Sequence, residues 1–270
     1  MKVAAIQFRC DVDIDENLGR ASDLVRDAAR QGARIVVLPE LFSTLHHHEQ
    51  MRQRGEPLDG PSLRWASALA GSTGVALIAG SIVEQDADDR YNTCVAVSPD
   101  GTVAATYRKV HLFDVDLGSV AARESDSFRA GPDATVADVA GVKVGLTICY
   151  DLRFPELFRI ETLRGAEIIA APSAFTATTG RDHWELLVRA RAVENQVAMI
   201  AAAQWGTSPD GVERHGHSMV VDAWGRVLAD AGPTGDAVLV ADVDLAAQAD
   251  IRRRLPSLSH RRQQAYRWPD

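Results

Sequence analysis

Three side chains that suit acyl-transfer chemistry each stand at the end of a strand-like segment. Glu40 and Cys149 end continuous apolar runs, and Lys109 ends an alternating one. Ligands in α/β sheets bind outside the carboxyl ends of strands, so these positions are well placed to share one site. A carboxylate, an ammonium and a thiol together predict a site that transfers an acyl group.

The chemistry follows from what a thiol needs to attack a carbonyl, which is a base and a charge that stabilises the oxyanion. Glu40 is expected to accept the proton of Cys149, and the thiolate then attacks an amide carbonyl. Lys109 and the backbone N–H of Tyr150 stabilise the oxyanion. Glu40 next protonates the departing amine or ammonia and activates the water that hydrolyses the thioester.

Each of these residues, taken by itself, also fits an ordinary role. Cys149 could be a buried thiol, Glu40 a solvated carboxylate and Lys109 part of a basic surface. Cys10 and Cys94 are interpreted as small buried hydrophobes.

The elements that must position these groups alternate between strand and helix, with hairpins between some of the strands. Strands are predicted at residues 3–8, 34–39, 75–81, 91–97, 102–108, 134–139, 142–148, 167–171, 197–203, 217–222, 226–230 and 237–243. Helices are predicted at residues 15–31, 61–71, 155–165, 182–195 and 244–254. The second half repeats the logic of the first and no low-complexity linker separates them. We therefore expect one domain over residues 1–270, of α/β class, with two packed sheets and helices outside. The irregular segment 110–133 is interpreted as a wall of the active site.

Composition excludes several classes of function. The chain has 270 residues and a formal net charge of −8, which argues against nucleic acid or an anionic membrane as the main partner. No run approaches the ~20 apolar residues of a membrane helix, and an immediate first strand leaves no room for a signal peptide. Three widely spaced cysteines favour a reducing cytoplasm. Residues 251–270 hold six Arg and one acid, and are interpreted as a solvated or interface-seeking tail rather than an anion-binding arm.

A run of three histidines, His46, His47 and His48, precedes Glu49 in the loop after Glu40. Adjacent histidines cannot all face one ion, so a solvated loop is favoured over a metal site. Its place near the predicted pocket mouth makes it a candidate influence on substrate choice.

Three separated motifs carry a resemblance to a known family. They are Leu38-Pro39-Glu40, Arg108-Lys109-Val110-His111, and the stretch Cys-Tyr-Asp-Leu-Arg-Phe-Pro-Glu at 149–156. In their order and spacing the chain resembles the nitrilase, or carbon–nitrogen hydrolase, superfamily over its whole length. The resemblance implies a four-layer α-β-β-α sandwich, a homodimer or higher homo-oligomer with the tail packed across the interface, and no metal or cofactor. It also implies a second glutamate beside the triad, and Glu124 matches that position.

Within the superfamily the chain looks most like the branch that hydrolyses deaminated glutathione, and the ω-amidase branch is a close sibling. Both branches take small amides with an α-keto-acid end. That fits Arg153 as a group that grips a carboxylate, although an ion pair with Asp151 or Glu156 is an equal alternative. The resemblance also places Tyr150, Phe175 and Thr179 at the substrate pocket.

The first hypothesis is therefore a cofactor-free amidase that hydrolyses a deaminated-glutathione-like amide through a cysteine thioester. The alternative is an ω-amidase acting on 2-oxoglutaramate or 2-oxosuccinamate, or another small-amide hydrolase that takes an N-carbamoyl or nitrile substrate. A metal-dependent hydrolase using the three histidines and Glu49 is a third hypothesis. A non-catalytic interaction protein with the Arg-rich tail as its contact is a fourth, disfavoured because all four site residues are present.

Overall fold

Two β-sheets pack face to face in the computed structural model, which describes residues 1–116, 118 and 121–267. Strands and helices of this part are numbered along the chain. The strands are β1 Lys2–Gln7, β2 Ile35–Val37, β3 Ala76–Ile78, β4 Ile82–Asp86, β5 Asp89–Val97, β6 Val103–Arg108, β7 Asp114–Asp116, β8 Ala121–Arg123, β9 Thr135–Val139, β10 Val142–Leu146, β11 Ile168–Ala170, β12 Ala198–Ala201, β13 Trp205–Thr207, β14 Glu213–His215, β15 Met219–Val221, β16 Val227–Asp230 and β17 Ala237–Asp242. The helices are α1 Ile14–Arg30, α2 His48–Gln53, α3 Pro61–Thr73, α4 Pro155–Leu163, α5 Ala177–Asn195 and α6 Leu245–Arg254, with short 3₁₀ turns at Glu124–Asp126, Cys149–Arg153 and Gln263–Ala265.

The first sheet has the strand order β17-β1-β2-β3-β5-β4, and β6 also pairs with β5. Strands β1, β2 and β3 are parallel, so their carboxyl ends meet at one edge. The last strand, β17, returns to pair antiparallel with β1. The second sheet has the order β16-β15-β12-β11-β10-β9, with β10, β11 and β12 parallel.

Strands β1, β2 and β3 of the first sheet are buried on both faces, which explains their largely apolar sequences. In β1, Val3 and Ala5 face the second sheet, whereas Ala4 and Ile6 face helices α1 and α3. Helices α4 and α5 cover the outer face of the second sheet. The layers are therefore helix, sheet, sheet, helix, which confirms the predicted α-β-β-α sandwich.

Helix α1 shows how the sequence sets an element's limits. The side chain of Asp13 accepts a hydrogen bond from the backbone N–H of Glu16, which caps the first turn. Ala21, Val25 and Ala28 are buried along one face. The helix ends before a glycine at 32 with φ +87°, a conformation that glycine adopts without strain.

Helix α5 and strand β4 are among the elements that depart from the sequence prediction, each for a local reason. Helix α5 begins at Ala177 rather than at 182, because Gly180 is not a helix breaker here. Its missing side chain makes room for His215, whose Cγ would lie 2.3 Å from an added Cβ. Strand β4 was not predicted. It joins β5 through a tight turn at Ala87, with φ +51°, that carries no glycine or asparagine signal.

Two sequence predictions concern membrane helices and the C-terminal tail. Among the described residues, no helix is both long enough and apolar enough to cross a membrane. The last three residues of the predicted interface tail, Trp268 to Asp270, lie outside the part of the chain that the structure describes.

Candidate active site

The predicted catalytic residues line one cavity of about 290 Å³, although they come from four separate connections. Glu40 follows β2 by three residues, and Lys109 directly follows β6. Glu124 opens the 3₁₀ turn after β8, and Cys149 opens the one after β10. The structure therefore brings together the four residues that the sequence singled out.

An ammonium between two carboxylates forms the polar centre of the cavity. Lys109 Nζ lies 2.8 Å from Glu40 Oε1. It also lies 3.0 Å from Glu124 Oε1 and 2.8 Å from Glu124 Oε2. Lys109 and Glu40 are almost completely buried, so this charge cluster is held away from water. Buried charges of this kind are stable only when they are paired and hydrogen-bonded, as these are.

Asn92, on strand β5, is a site residue that the sequence analysis missed. Its Nδ2 donates to Glu40 Oε1 at 2.9 Å and to Glu124 Oε1 at 3.0 Å. Its backbone carbonyl accepts from the Lys109 N–H at 2.9 Å, so Asn92 contacts all three members of the charge cluster. An asparagine inside an ordinary strand carries no sequence signal of this role.

Backbone donors complete the carboxylate environment. The Ala174 N–H donates to Glu40 Oε2 at 2.8 Å, and the Phe113 N–H donates to Glu124 Oε2 at 2.7 Å. Each carboxylate is therefore held by both a side chain and the main chain. This fixes the position of Glu40 beside the Cys149 thiol, with which it is within hydrogen-bonding reach.

Cys149 sits on a sharp bend of the backbone, with φ +46°. Left-handed φ is rare for a residue with a side chain and persists only where the surroundings enforce it. The fully buried carboxylate of Asp151 supplies that constraint. It accepts from the Ile148 N–H and the Tyr107 hydroxyl, both at 2.8 Å, and its Oδ1 lies 2.7 Å from His111 Nδ1. Asp151 thus ties the bend at Cys149 to the segment that carries Lys109.

The environment keeps the resting thiol protonated and Glu40 ionised. Burial and the negative charge of Glu40 raise the pKa of Cys149 well above its ordinary value. Burial opposes ionisation of Glu40 too, but the charge and hydrogen bond of Lys109 outweigh it, and the pKa of Glu40 is lowered. Burial likewise acts to lower the pKa of Lys109, yet the two glutamates raise it. A charged carboxylate therefore stands beside a neutral thiol.

The N–H of Tyr150 is available at the start of the 3₁₀ turn. Intrahelical bonding begins with the Asp151 N–H, which donates to the Ile148 carbonyl, so the Tyr150 N–H precedes the bonded part of the turn. Tyr150 itself lines the cavity beside Cys149. This fits its expected place beside a developing oxyanion.

The remaining walls of the cavity are mainly apolar. Described residues of segment 110–133 form one wall, as predicted. The segment contains the β7–β8 hairpin, whose short strands showed no periodicity. Phe175 and Thr179 line another wall. The wall residues from these segments are Phe113, Ala121, Ala122, Phe128, Ala174, Phe175, Thr176 and Thr179.

Arg153 is not among the residues that line the cavity. Its guanidinium packs 5.4 Å from the Phe175 ring centre and 5.9 Å from that of Tyr150, with His183 Nδ1 3.4 Å away. The alternative ion pair with Asp151 or Glu156 is wrong, because Asp151 is fully engaged elsewhere and the ion pairs of the described residues include neither contact. The guanidinium that does line the cavity is that of Arg214, which the sequence analysis missed.

The histidine run is only partly a solvated loop. His47 is exposed, but His46 is 7% exposed, and both line the cavity. The side chain of His48 lies outside the described part of the chain. The described residues contain no group of three or more His, Cys, Asp or Glu side chains arranged to hold a metal ion.

Comparison with known proteins places this geometry in a family. The carbon–nitrogen hydrolase family model matches residues 2–253. Omega-amidase NIT2 of Mus musculus is 42% identical over 266 residues, which cover 98% of this chain and 96% of that protein. Its counterparts in Homo sapiens and Danio rerio are 41% and 40% identical over the same shares of each chain.

Solved structures agree with the sequence relatives. Saccharomyces cerevisiae Nit3, a member of branch 10 of the nitrilase superfamily, superposes with a TM-score of 0.88 at 33% identity, covering 98% of this chain and 97% of its own. A variant amidase from Nesterenkonia sp. AN1 superposes with a TM-score of 0.81 at 26% identity, over 98% of this chain and 94% of its own. That structure carries the acetamide moiety of fluoroacetamide covalently bonded to its active-site cysteine. The chain therefore belongs to the carbon–nitrogen hydrolase family and is a hydrolase of carbon–nitrogen bonds other than peptide bonds.

Proposed function

We propose that the protein is an ω-amidase that releases ammonia from the terminal amide of a short α-keto-acid amide such as 2-oxoglutaramate. The observation that carries the proposal is the buried cluster of Glu40, Lys109, Glu124 and Cys149. The support for this substrate class is the name of the relatives, which match almost the whole chain as omega-amidases. This reverses the order of the sequence hypotheses, which put the deaminated-glutathione reaction first.

The proposed reaction begins with proton transfer from Cys149 to Glu40 as the sulfur attacks the amide carbon. Concerted removal of the proton is needed because the thiol is neutral at rest and the neighbouring carboxylate is charged. The Lys109 ammonium and the Tyr150 N–H stabilise the negative charge on the carbonyl oxygen. Such donors act strongly in a buried site, where each is worth roughly a hundredfold or more in rate.

Collapse of the tetrahedral intermediate breaks the carbon–nitrogen bond. Glu40 returns its proton to the nitrogen, and ammonia leaves an acyl thioester on Cys149. Glu40, again ionised, then takes a proton from water as the oxygen attacks the thioester. As the carbon–sulfur bond breaks, Glu40 returns that proton to the sulfur, which restores both the thiol and the charged carboxylate. The carboxylic acid product then leaves. Glu124 and Asn92 hold Lys109 and Glu40 in place throughout and need not exchange protons.

The rate of ammonia release from a matched pair of amides tests the substrate class. The expected result is a higher kcat/KM for 2-oxoglutaramate than for deaminated glutathione. A higher value for deaminated glutathione would restore the first sequence hypothesis. Hydrolysis in a strong chelator is expected to be undiminished, and its loss would favour a metal-dependent reaction.

We also propose that the protein is a dimer whose interface includes the C-terminal tail. Large apolar side chains are exposed on the outer helices, namely Ile160 and Leu163 on α4 and Leu186 and Val193 on α5. Exposed apolar patches of this kind mark interaction sites. Truncation after residue 250 is expected to yield a monomer in sedimentation, and a stable truncated dimer would contradict the proposal.

A further inference from the structure

Two cationic side chains, besides the histidines, are among the described residues that line the cavity, and these are Lys109 and Arg214. Lys109 is held between Glu40 and Glu124 and belongs to the catalytic cluster. Arg214 comes from strand β14, a separate segment, and the proposed mechanism does not use it. Its guanidinium is therefore a candidate contact for the part of the substrate that does not react.

The terminal nitrogens of Arg214 lie at the cavity wall. Nη1 donates to the Ala174 carbonyl at 3.0 Å, and Nη2 pairs with Asp210 Oδ2. Ala174 and Asp210 both line the cavity, whereas Ser208, which accepts from Nε at 2.7 Å, is not among its lining residues. The outer end of the guanidinium therefore borders the cavity, and the side chain keeps 9% of its surface exposed.

Arg214 has hydrogen-bonding capacity left at this end. An arginine carries five N–H donors, one on Nε and two on each terminal nitrogen. The bonds to Ser208, Ala174 and Asp210 use three of them. One N–H on each terminal nitrogen therefore has no acceptor among the described residues. Donors on two terminal nitrogens match the two oxygens of a carboxylate.

Ala174 also limits the distance from Arg214 to the reacting centre. Its N–H donates to Glu40 Oε2 at 2.8 Å, while its carbonyl accepts from Arg214 Nη1. A single residue lies between the two groups, so Nη1 is within about 9 Å of Oε2. From its amide carbon to its carboxylate carbon, a five-carbon ω-amide spans roughly 5 Å, and a hydrogen bond adds about 3 Å. Such a substrate can reach Arg214 while its amide lies beside Cys149.

Asp210 limits the positive charge that Arg214 presents. Its Oδ2 pairs with Arg214, and its Oδ1 accepts from the Val212 N–H at 3.0 Å. The Asp210 side chain is 14% exposed, so salt screens this pair only weakly. Because the pair is neutral as a whole, a substrate carboxylate is held by hydrogen bonds to the guanidinium and opposed by Asp210. Neutralising Asp210 should therefore strengthen the binding of an anion.

We propose that Arg214 is a specificity-determining residue that binds the carboxylate at the far end of the substrate. It takes the role that the sequence hypothesis gave to Arg153, which is not among the lining residues. The contact is made to the carboxylate itself, so it serves ω-amides of dicarboxylic acids with or without a keto group at carbon 2. The inference rests on the proposed amidase function of the same cavity.

The test compares two amides with the same five-carbon chain. Glutaramate ends in a carboxylate, and pentanamide ends in a methyl group. The measured quantity is the ratio of kcat/KM for glutaramate to that for pentanamide, from ammonia release. Arg214→Met is expected to lower this ratio about thirtyfold, the effect of losing hydrogen bonds from a charged donor. Arg214→Lys, which keeps the charge, is expected to recover part of the ratio.

Two further variants separate charge, position and structure. Asp210→Asn is expected to raise the ratio about threefold, because it removes the opposing charge. Arg153→Met is the matched control, since it removes a guanidinium that lies 5.4 Å from the Phe175 ring centre but outside the cavity lining, and it should leave the ratio as in the wild type. A purely structural role for Arg214, as a brace on Ala174, would lower both rates in proportion and leave the ratio unchanged.

A ratio within twofold of the wild type in Arg214→Met would overturn the proposal, as would an equal fall in Arg153→Met. If the wild type releases no ammonia from either amide or from 2-oxoglutaramate, the proposed function fails instead. Where glutaramate is not turned over, its dissociation constant and that of pentanamide decide the Arg214 proposal, measured by calorimetry in Cys149→Ala with and without Arg214→Met. A loss of affinity confined to glutaramate would support the proposal, and unchanged affinities would overturn it.

Discussion

Two glutamates, Glu40 and Glu161, are both almost completely buried, yet their surroundings have opposite effects on them. Glu40 is held by Lys109, Asn92 and the Ala174 N–H. Neither carboxyl oxygen of Glu161, on helix α4, has a side-chain hydrogen-bond partner among the described residues. Burial and the charge of Asp151 raise the pKa of Glu161 well above its ordinary value, whereas the pKa of Glu40 is lowered.

The opposite pKa shifts of these two glutamates show that burial alone does not decide whether a carboxyl group can act as a base. Desolvation disfavours the charged form of both glutamates. The Lys109 ammonium and its hydrogen bond outweigh it at Glu40, whereas the Leu146 backbone and the Arg164 charge do not outweigh it at Glu161. Glu40 is therefore a charged carboxylate beside a thiol, which is the state that the proposed base requires. Glu161 is a neutral acid packed against the strand that leads to Cys149. The following variants test each side of this contrast.

The largest expected effect is on catalysis in Glu40→Gln. The substitution preserves the shape of the side chain but removes the group that accepts and returns the proton, so kcat should fall about 10⁴-fold. The matched variant is Glu161→Gln, which changes an equally buried glutamate and should leave kcat within about threefold. Comparable losses in both variants, measured by ammonia release, would show that burial rather than chemistry explains the importance of Glu40.

Glu161→Gln should instead change stability. The folded state holds a proton on Glu161 that the unfolded state releases above its pKa of roughly 4.3, so wild-type stability is greatest below that pH and falls as pH rises towards the folded pKa. The loss is at most about 1.4 kcal/mol for each pH unit. The variant should therefore gain stability over the wild type, and the gain should be larger at pH 7 than at pH 5. Urea unfolding at the two pH values measures this, and a gain that shrinks as pH rises would contradict it.

Gly145→Ala tests the packing around Glu161. An added Cβ at this position would lie 2.4 Å from Glu161 Oε2, which is too close without movement. Overpacking of this kind should destabilise the protein by about 2 kcal/mol. The cost should largely disappear in a Glu161→Ala background, and an unchanged cost there would locate the clash elsewhere.

Asn92→Leu makes the surroundings of Glu40 more like those of Glu161. Loss of the Nδ2 donor removes a hydrogen bond from each carboxylate, so kcat should fall about tenfold with little change in KM. The pKa of Glu40 should rise, which moves the acid limb of the pH–rate profile upwards. A fall in activity without that movement would mean that Asn92 acts only through the fold.

The proposed catalytic cluster could be predicted because each of three members follows a strand pattern that is visible in the neighbouring sequence. Glu40, Lys109 and Cys149 each end a segment with a clear strand pattern, so their meeting could be inferred from the geometry of sheets. Glu124 came only from the family resemblance, since it lies in a segment without periodicity. The α-β-β-α layers were predicted in the same two ways, by alternation of elements and by resemblance.

The missed residues depend on contacts between distant parts of the chain. Asn92 faces two carboxylates that are 52 and 32 residues away, and no local pattern indicates this. Arg214 reaches the cavity through a hairpin of three-residue strands, too short to show a period. His46 looked like part of a polar loop, and its burial follows from the packing around it.

The most direct test of the account compares ammonia release from 2-oxoglutaramate in the wild type, Cys149→Ala and Cys94→Ala. Cys94 is the control because it is a free, buried thiol on another strand, outside the residues that line the cavity. The account predicts release by the wild type and Cys94→Ala, and mass spectrometry of quenched enzyme should find the acyl group on Cys149. Cys149→Ala should remain folded and release no ammonia above background. Undiminished release in folded Cys149→Ala would contradict the central claim that Cys149 is the nucleophile.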